Sequence, residues 1–160
     1  MFSVIFPGQG SQSVGMIKDL YNNYTYIRDF FNLADEILGY SISKLILEGP
    51  KEELDLTQNT QPAIFISSFS IFEMIKRESK LKLSDAKYLA GHSLGEYSAL
   101  AAAGSLDFES ALKLLNERGK AMQTSVPKGT GGMLAVLGTD IEEISSLLYE
   151  NKNKYKCYIA

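Results

Sequence analysis

The chain has 160 residues, 45% of them hydrophobic and 22% charged, a balance that fits one globular domain and excludes disordered, collagenous and low-complexity classes. Lys and Arg number 16 against 19 Asp and Glu, and a net charge of -3 gives no reason to expect a surface for nucleic acid or an anionic membrane. A single cysteine, Cys157, rules out an intrachain disulfide, and with His92 as the sole histidine a structural zinc site is not expected.

No run reaches the roughly 18–20 apolar residues of a membrane helix. The N-terminus lacks a basic region and a cleavage site. A reducing, cytoplasmic setting is therefore expected.

In chain order, Phe2 to Phe6 reads as a buried strand stopped by Pro7-Gly8. Val14, Ile17, Leu20, Tyr21 and Tyr24 recur at helical spacing, as do Ile27, Phe30, Phe31, Ala34 and Leu38, with Gly39 as a C-cap. Ser41 to Glu48 predicts a short helix closed by Gly49-Pro50, and Pro50 to Leu54 a helical turn with acids early. An apolar buried helix is expected from Thr60 to about Lys76, then a charged surface loop from Glu78 to Lys87. Lys87 to Ala90 predicts a strand, Leu94 to Ala103 a helix rich in small residues, and Phe108 to Thr124 a helix capped by Asp107.

After Pro127 the pattern changes. Gly129-Thr130-Gly131-Gly132 reads as a hinge-like turn. Met133 to Leu137 predicts a strand, Ile141 to Tyr149 a helix and Tyr155 to Ala160 a strand, together a β-α-β unit. Domain limits of 1–126 and 127–160 follow from this shift. The chain stops inside an apolar run, which predicts an N-terminal portion of something longer.

The strongest chemical signal is Gly91-His92-Ser93-Leu94-Gly95 between a strand and a helix. A serine on so sharp a turn adopts a strained backbone and projects from the sheet edge. The residues two before and two after lack room for a side chain. The next helix points its free N–H groups at the site, which suits a developing oxyanion. Consecutive side chains on such a turn diverge, so His92 is expected to fill the corner structurally and not to act as base for Ser93. The methionines read as core fillers, Glu96 and Asp107 as helix-start acids, and Lys152, Lys154 and Lys156 as solvated.

Pro7-Gly8-Gln9-Gly10-Ser11-Gln12 follows the first strand as a nucleotide loop would, but Ser13 stands where a third glycine is needed and no Gly-Lys-Ser/Thr follows. Its glycines instead predict close approach of backbone to another loop or a substrate, with an N–H available to an anion. Arg118 lies about 60° from the centre of the apolar stripe of its helix. A guanidinium there suits either a bidentate anion or a surface acid. Gly119 beside it costs about 1 kcal/mol against Ala, which predicts a close contact.

Phe6 to Gln12, Thr60-Gln61-Pro62-Ala63, Gly91 to Ala99 and Arg118-Gly119 together resemble, in order and spacing, the malonyl-CoA:acyl carrier protein transacylases of fatty-acid synthesis. The resemblance implies an α/β-hydrolase-like parallel-sheet core with the start of an inserted ferredoxin-like subdomain, incomplete here. It implies Ser93 as the acyl-accepting nucleophile and Arg118 as the holder of the malonyl carboxylate. Backbone N–H groups of Gln9 and Leu94 would form the oxyanion hole, and Gln61 would line the pocket. Gly91, His92 and Gly95 would shape the turn. Coenzyme A enters as a thioester substrate, no resident cofactor or metal is implied, and acyl carrier protein is the partner. The family's catalytic histidine would lie beyond residue 160. Two other readings remain: a serine esterase, which shares the turn but has no use for Arg118, and an inactive truncated remnant.

Overall fold

A computed structural model describes residues 2–125, 134 and 136–159. Two compact units are present, Met1–Lys128 and Gly129–Ala160.

The first unit is α/β, a small parallel sheet with many helices. Strands β1 (Phe2–Phe6) and β2 (Ala86–Gly91) pair in parallel with Val4 opposite Leu89 and Phe6 opposite Gly91. Parallel neighbours need a long crossover. Here it contains α1 (Lys18–Asn23), α2 (Thr25–Leu38), α3 (Ile42–Glu48), α4 (Lys51–Leu54) and α5 (Thr57–Glu78). After β2 come α6 (Gly95–Ala102) and α7 (Phe108–Ser125).

The core lies among the helices. Ile27, Phe31, Ala34, Ile42, Ile46, Leu54, Phe65, Leu112 and Leu115 are fully buried there. Phe30, Phe65, Phe69 and Phe108 form an aromatic cluster, with Phe65 stacked on Phe108 at 5.3 Å. Helix α5 is the central post, and Thr60 through Ser68 are all buried.

Several expectations require correction. β1 is buried on one face only: Phe6 is enclosed against Phe72, whereas Ile5 is 75% exposed. Side chains alternate across a strand, and the helices cover only the side bearing Val4 and Phe6. The first predicted helix shrinks to six residues because Gly15 and Ile17 take left-handed φ values of 82° and 55°. For β-branched Ile17 that conformation is strained, and its side chain packs against the helical core in compensation. Helix α5 begins at Thr57, before the predicted Thr60, because Gln123 Oε1 on α7 accepts the Thr57 N–H at 3.0 Å. The loop predicted after Glu78 holds a 3-10 turn at Leu83–Asp85. Gly39 ends α2 in the left-handed conformation, as expected.

Asp107 caps α7 as expected, accepting the Ser110 N–H at 2.8 Å and its hydroxyl at 2.7 Å. These bonds hold the Asp107 carboxyl below the ordinary value of 3.8. A depressed carboxylate stabilises above its unfolded pKa, and the contribution is lost as pH falls through the folded value. The melting-temperature gap between wild type and Asp107→Ala is therefore expected to be full at neutral pH and to close below pH 3.8. A gap independent of pH would remove the charged cap.

In the second unit α8 (Ile141–Asn151) forms as predicted. Among the described residues the flanking strands are not seen: Leu134, Val136, Leu137 and Tyr155 through Ile159 are irregular. A strand needs a hydrogen-bonding neighbour, and Leu134, Leu137 and Tyr158 are all more than 80% exposed. The predicted Gly129–Gly132 hinge, with Met133, Ala135 and Ala160, lies outside the described residues.

Candidate active site

The turn joining β2 to α6 is built from steric exclusion. A Cβ on Gly91 would stand 1.9 Å from the Gly95 carbonyl carbon. A Cβ on Gly95 would stand 2.4 Å from Phe6 O and 2.8 Å from Pro7 O. Only hydrogen fits at either place, as the Gly-x-Ser-x-Gly spacing predicts. Between them Ser93 takes φ 55°, a left-handed conformation costly for a side-chain-bearing residue.

Leu94 is fully buried and anchors the turn, while Ser93 stays exposed. Gly95, Glu96 and Tyr97 donate to the carbonyls three residues back, at 2.9–3.1 Å. This tight winding starts α6 just past the serine. The Leu94 N–H donates to no acceptor among the described residues, and neither does that of Gln9.

The loop after β1 lies against this turn. His92 N donates to Phe6 O at 3.1 Å, extending the strand pairing by one rung. A Cβ on Gly8 would meet His92 O at 2.8 Å and His92 Nδ1 at 2.4 Å. Gly8 thus makes the predicted close approach. Gly10 does not: a Cβ there would meet nothing within 4 Å, and its φ of 105° is what calls for glycine. His92 is exposed, its ring over Gly8, and it makes no hydrogen bond with Ser93 among the described residues. It therefore covers the corner from the solvent side.

Arg118 is half-buried on α7 and forks between two partners. Nη2 donates to Ser93 Oγ at 3.1 Å, and Nη1 donates to Gln61 Oε1 at 2.7 Å. Gln61 is 1% exposed, so this acceptor is held rigidly inside α5. Of the two readings of Arg118, the surface acid is not the one found: among the described residues it forms no ion pair. A half-buried guanidinium next to a serine oxygen, without a carboxylate of its own, offers a charge-assisted fork to an incoming anion.

Residues beyond those singled out from the sequence complete the arrangement. Gln61 Nε2 donates to Met122 Sδ at 3.0 Å, so Met122, which is 38% exposed, is a site neighbour and not a core filler. Its position four residues after Arg118, on the same helix face, was the available signal. Thr57 receives Gln9 Nε2 at 3.3 Å and gives its N–H to Gln123. No local pattern marks such long-range pairs.

Gly119 explains how the fork is aimed. A Cβ there would stand 2.8 Å from Gln58 Cα and 2.9 Å from Thr57 O, both backbone. Pro62 removes the N–H that the Gln58 carbonyl would otherwise accept in α5. Close docking of α7 on this first turn brings Arg118 onto Gln61. Gly119→Ala gains about 1 kcal/mol of helix propensity but overpacks backbone at a cost of about 1–3 kcal/mol. A lower denaturant midpoint is expected, and a raised one would show that the helices part without strain.

The fold is α/β, with a strand–turn–helix serine beside a docked guanidinium. The profile of the family described as "Acyl transferase domain" matches residues 3–150, and the chain belongs to that family. It is 48% identical over 143 residues to the malonyl CoA-acyl carrier protein transacylase of Haemophilus influenzae, covering 89% of this chain and 45% of that protein. It is 42% identical over 149 residues to the Escherichia coli K12 protein of the same name, covering 93% and 47%. A solved type II PKS acyl-carrier protein in complex with its malonyl-transacylase superposes with a TM-score of 0.85 at 42% identity, covering 93% of this chain and 47% of that one. The acyl-carrier-protein-S-malonyltransferase of Bartonella henselae gives a TM-score of 0.86 at 38% identity, covering 100% and 51%. The chain spans about half the length of the relatives it matches.

Proposed function

We propose that this chain carries the acyl-accepting half of a malonyl-CoA:acyl carrier protein transacylase. Ser93 Oγ attacks the thioester carbonyl of malonyl-CoA, its proton passes to a general base, and coenzyme A leaves as the thiol. The phosphopantetheine thiol of acyl carrier protein then attacks the seryl ester and regenerates the hydroxyl. The thioester supplies the driving force, so the reading calls for no resident cofactor. Backbone N–H groups of Gln9 and Leu94 take the oxyanion. Arg118 receives the free carboxylate, with Gln61 holding the guanidinium in place.

The observation that carries this reading is the Ser93–Arg118–Gln61 chain of contacts, at 3.1 and 2.7 Å. An esterase needs no cation there. The base is proposed to come from outside these 160 residues, since His92 faces Gly8. For the whole protein we read an α/β-hydrolase-like core over 1–126 and the start of a ferredoxin-like subdomain over 127–160. A cytoplasmic setting accords with an exposed lone Cys157.

Incubation of the whole protein, base included, with malonyl-CoA, followed by intact mass and peptide mapping, tests the reading. A malonyl group on the peptide containing Ser93 is expected. Label on any other residue, or hydrolysis of simple esters in preference to malonyl uptake, overturns it.

A further inference from the structure

The loop that carries Gln9 lies between Gly8 and Gly10, and two glycines leave its peptide planes free to rotate unless something holds them. Two side chains do. Ser11 Oγ donates to Gly8 O at 2.8 Å. That carbonyl shares a rigid plane with the Gln9 N–H and points opposite to it. The next plane is held as well, because the Gly10 N–H donates to Gln12 Oε1 at 2.8 Å.

Gln12 is itself oriented. Its Nε2 donates to Asp55 Oδ1 at 2.8 Å, which makes Oε1 the atom facing Gly10. Asp55 Oδ2 is taken by Lys51. The hydrogen bond from Lys51, and then that from Gln12, hold the Asp55 carboxyl below its usual range, so it stays an acceptor at neutral pH. The Gln9 side chain lands on Thr57, two residues past Asp55, so the two tethers end on either side of the α4–α5 junction.

We propose that Ser11 and Gln12 are positioning residues that pin the peptide planes on either side of Gln9 and so aim its N–H at the developing oxyanion. The inference rests on the acyl-serine reading above. It assigns these two side chains, with Asp55 behind them, a task in the rate of acyl transfer and not in substrate affinity. A donor fixed before the reaction costs nothing to orient at the transition state, whereas a loop free to rotate must be ordered at that moment.

The test measures single-turnover acylation of Ser93 by malonyl-CoA in the whole protein, base included, with amide exchange at Gly10 and the unfolding midpoint as companions. Ser11→Ala and Gln12→Ala are each expected to slow acylation at saturating malonyl-CoA by about tenfold or more. The half-saturating concentration should move less than about twofold, because ground-state binding is untouched. Gly10 exchange should quicken in Gln12→Ala. Gln12→Glu alone sets two carboxylates together and should also be slow. Combined with Asp55→Asn it rebuilds the bridge with donor and acceptor exchanged, and acylation should recover to within about threefold of wild type. A general loss of folding would not be rescued by that exchange. Wild-type rates in Ser11→Ala and Gln12→Ala, or a combined variant no faster than Gln12→Glu, overturn the proposal. If the wild-type whole protein, with its general base present, takes up no malonyl at all, the acyl-serine reading fails first and the catalytic task of the clamp with it.

Discussion

Ser93→Ala and Ser93→Gly are both expected to carry no malonyl after exposure to malonyl-CoA, and the glycine variant is expected to be the more stable of the two. The loss of adduct follows from chemistry: neither variant has an atom at Oγ to bear the ester. The stability difference follows from backbone conformation. At φ 55° an alanine keeps the clash between Cβ and the following carbonyl, whereas glycine has none. The relief is about 1–2 kcal/mol, and glycine's greater freedom when unfolded returns roughly 0.5–1 of it. A net gain of about 1 kcal/mol over Ser93→Ala should register in denaturant titration. The flanking glycines, where a Cβ would stand 1.9 and 2.4 Å from backbone atoms, over-determine the turn, so the strain persists in wild type and in Ser93→Ala alike. Such a cost, borne at the one residue that must project its hydroxyl, belongs to a site selected for reactivity ahead of stability. Malonyl recovered on Ser93→Ala would move the nucleophile elsewhere, and equal stability of the two variants would mean that the turn is unstrained.

Where the deciding interactions are local, the sequence announces them. Gly91 is excluded from bearing a side chain by Gly95, four residues on, and the turn is readable for that reason. Asp107 caps a helix that begins at the next residue. The apolar run from Ala63 to Ile75 marks a largely buried helix wherever it lies, and all but a few of its residues are buried. What escaped depends on partners distant in the chain. The start of α5 is set by Gln123, 66 residues on, and no nearby residue hints at it. The exposure of Ile5 depends on which face of β1 the helices cover, and a short apolar run does not distinguish a strand buried on one side from one buried on both. The expected strands around α8 have suitable composition, yet composition cannot supply a neighbour to pair with. Arg118 stood between two readings because its angle on the helix was legible while the identity of the facing residue was not. Gly119 was the better clue: a costly residue inside a helix marks a close contact even when the contact itself is unknown.

Arg118→Ala is expected to lower kcat/KM for malonyl transfer by roughly 10- to 150-fold, about 1.5–3 kcal/mol, while acetyl transfer holds or improves. The guanidinium presents two nitrogens to the site. One is committed to Gln61, whose buried carbonyl oxygen fixes the plane of the fork. The other rests on Ser93 Oγ at 3.1 Å. An arriving malonyl carboxylate is the stronger acceptor, and it would draw that nitrogen away from the serine. The same exchange frees a lone pair on Oγ for attack, so binding of the correct acyl group and release of the nucleophile become one event. An acetyl group has no carboxylate to make the exchange, and in wild type it meets a serine whose oxygen is still engaged. Removing the guanidinium therefore costs malonyl its anchor and costs acetyl nothing. Arg118→Lys should fall between, since an ammonium restores charge without the fork. The decisive measurement is the malonyl-to-acetyl ratio in direct competition for the same enzyme. A ratio unchanged by Arg118→Ala would leave the cation a purely structural partner of Gln61 and return the turn to the esterase reading.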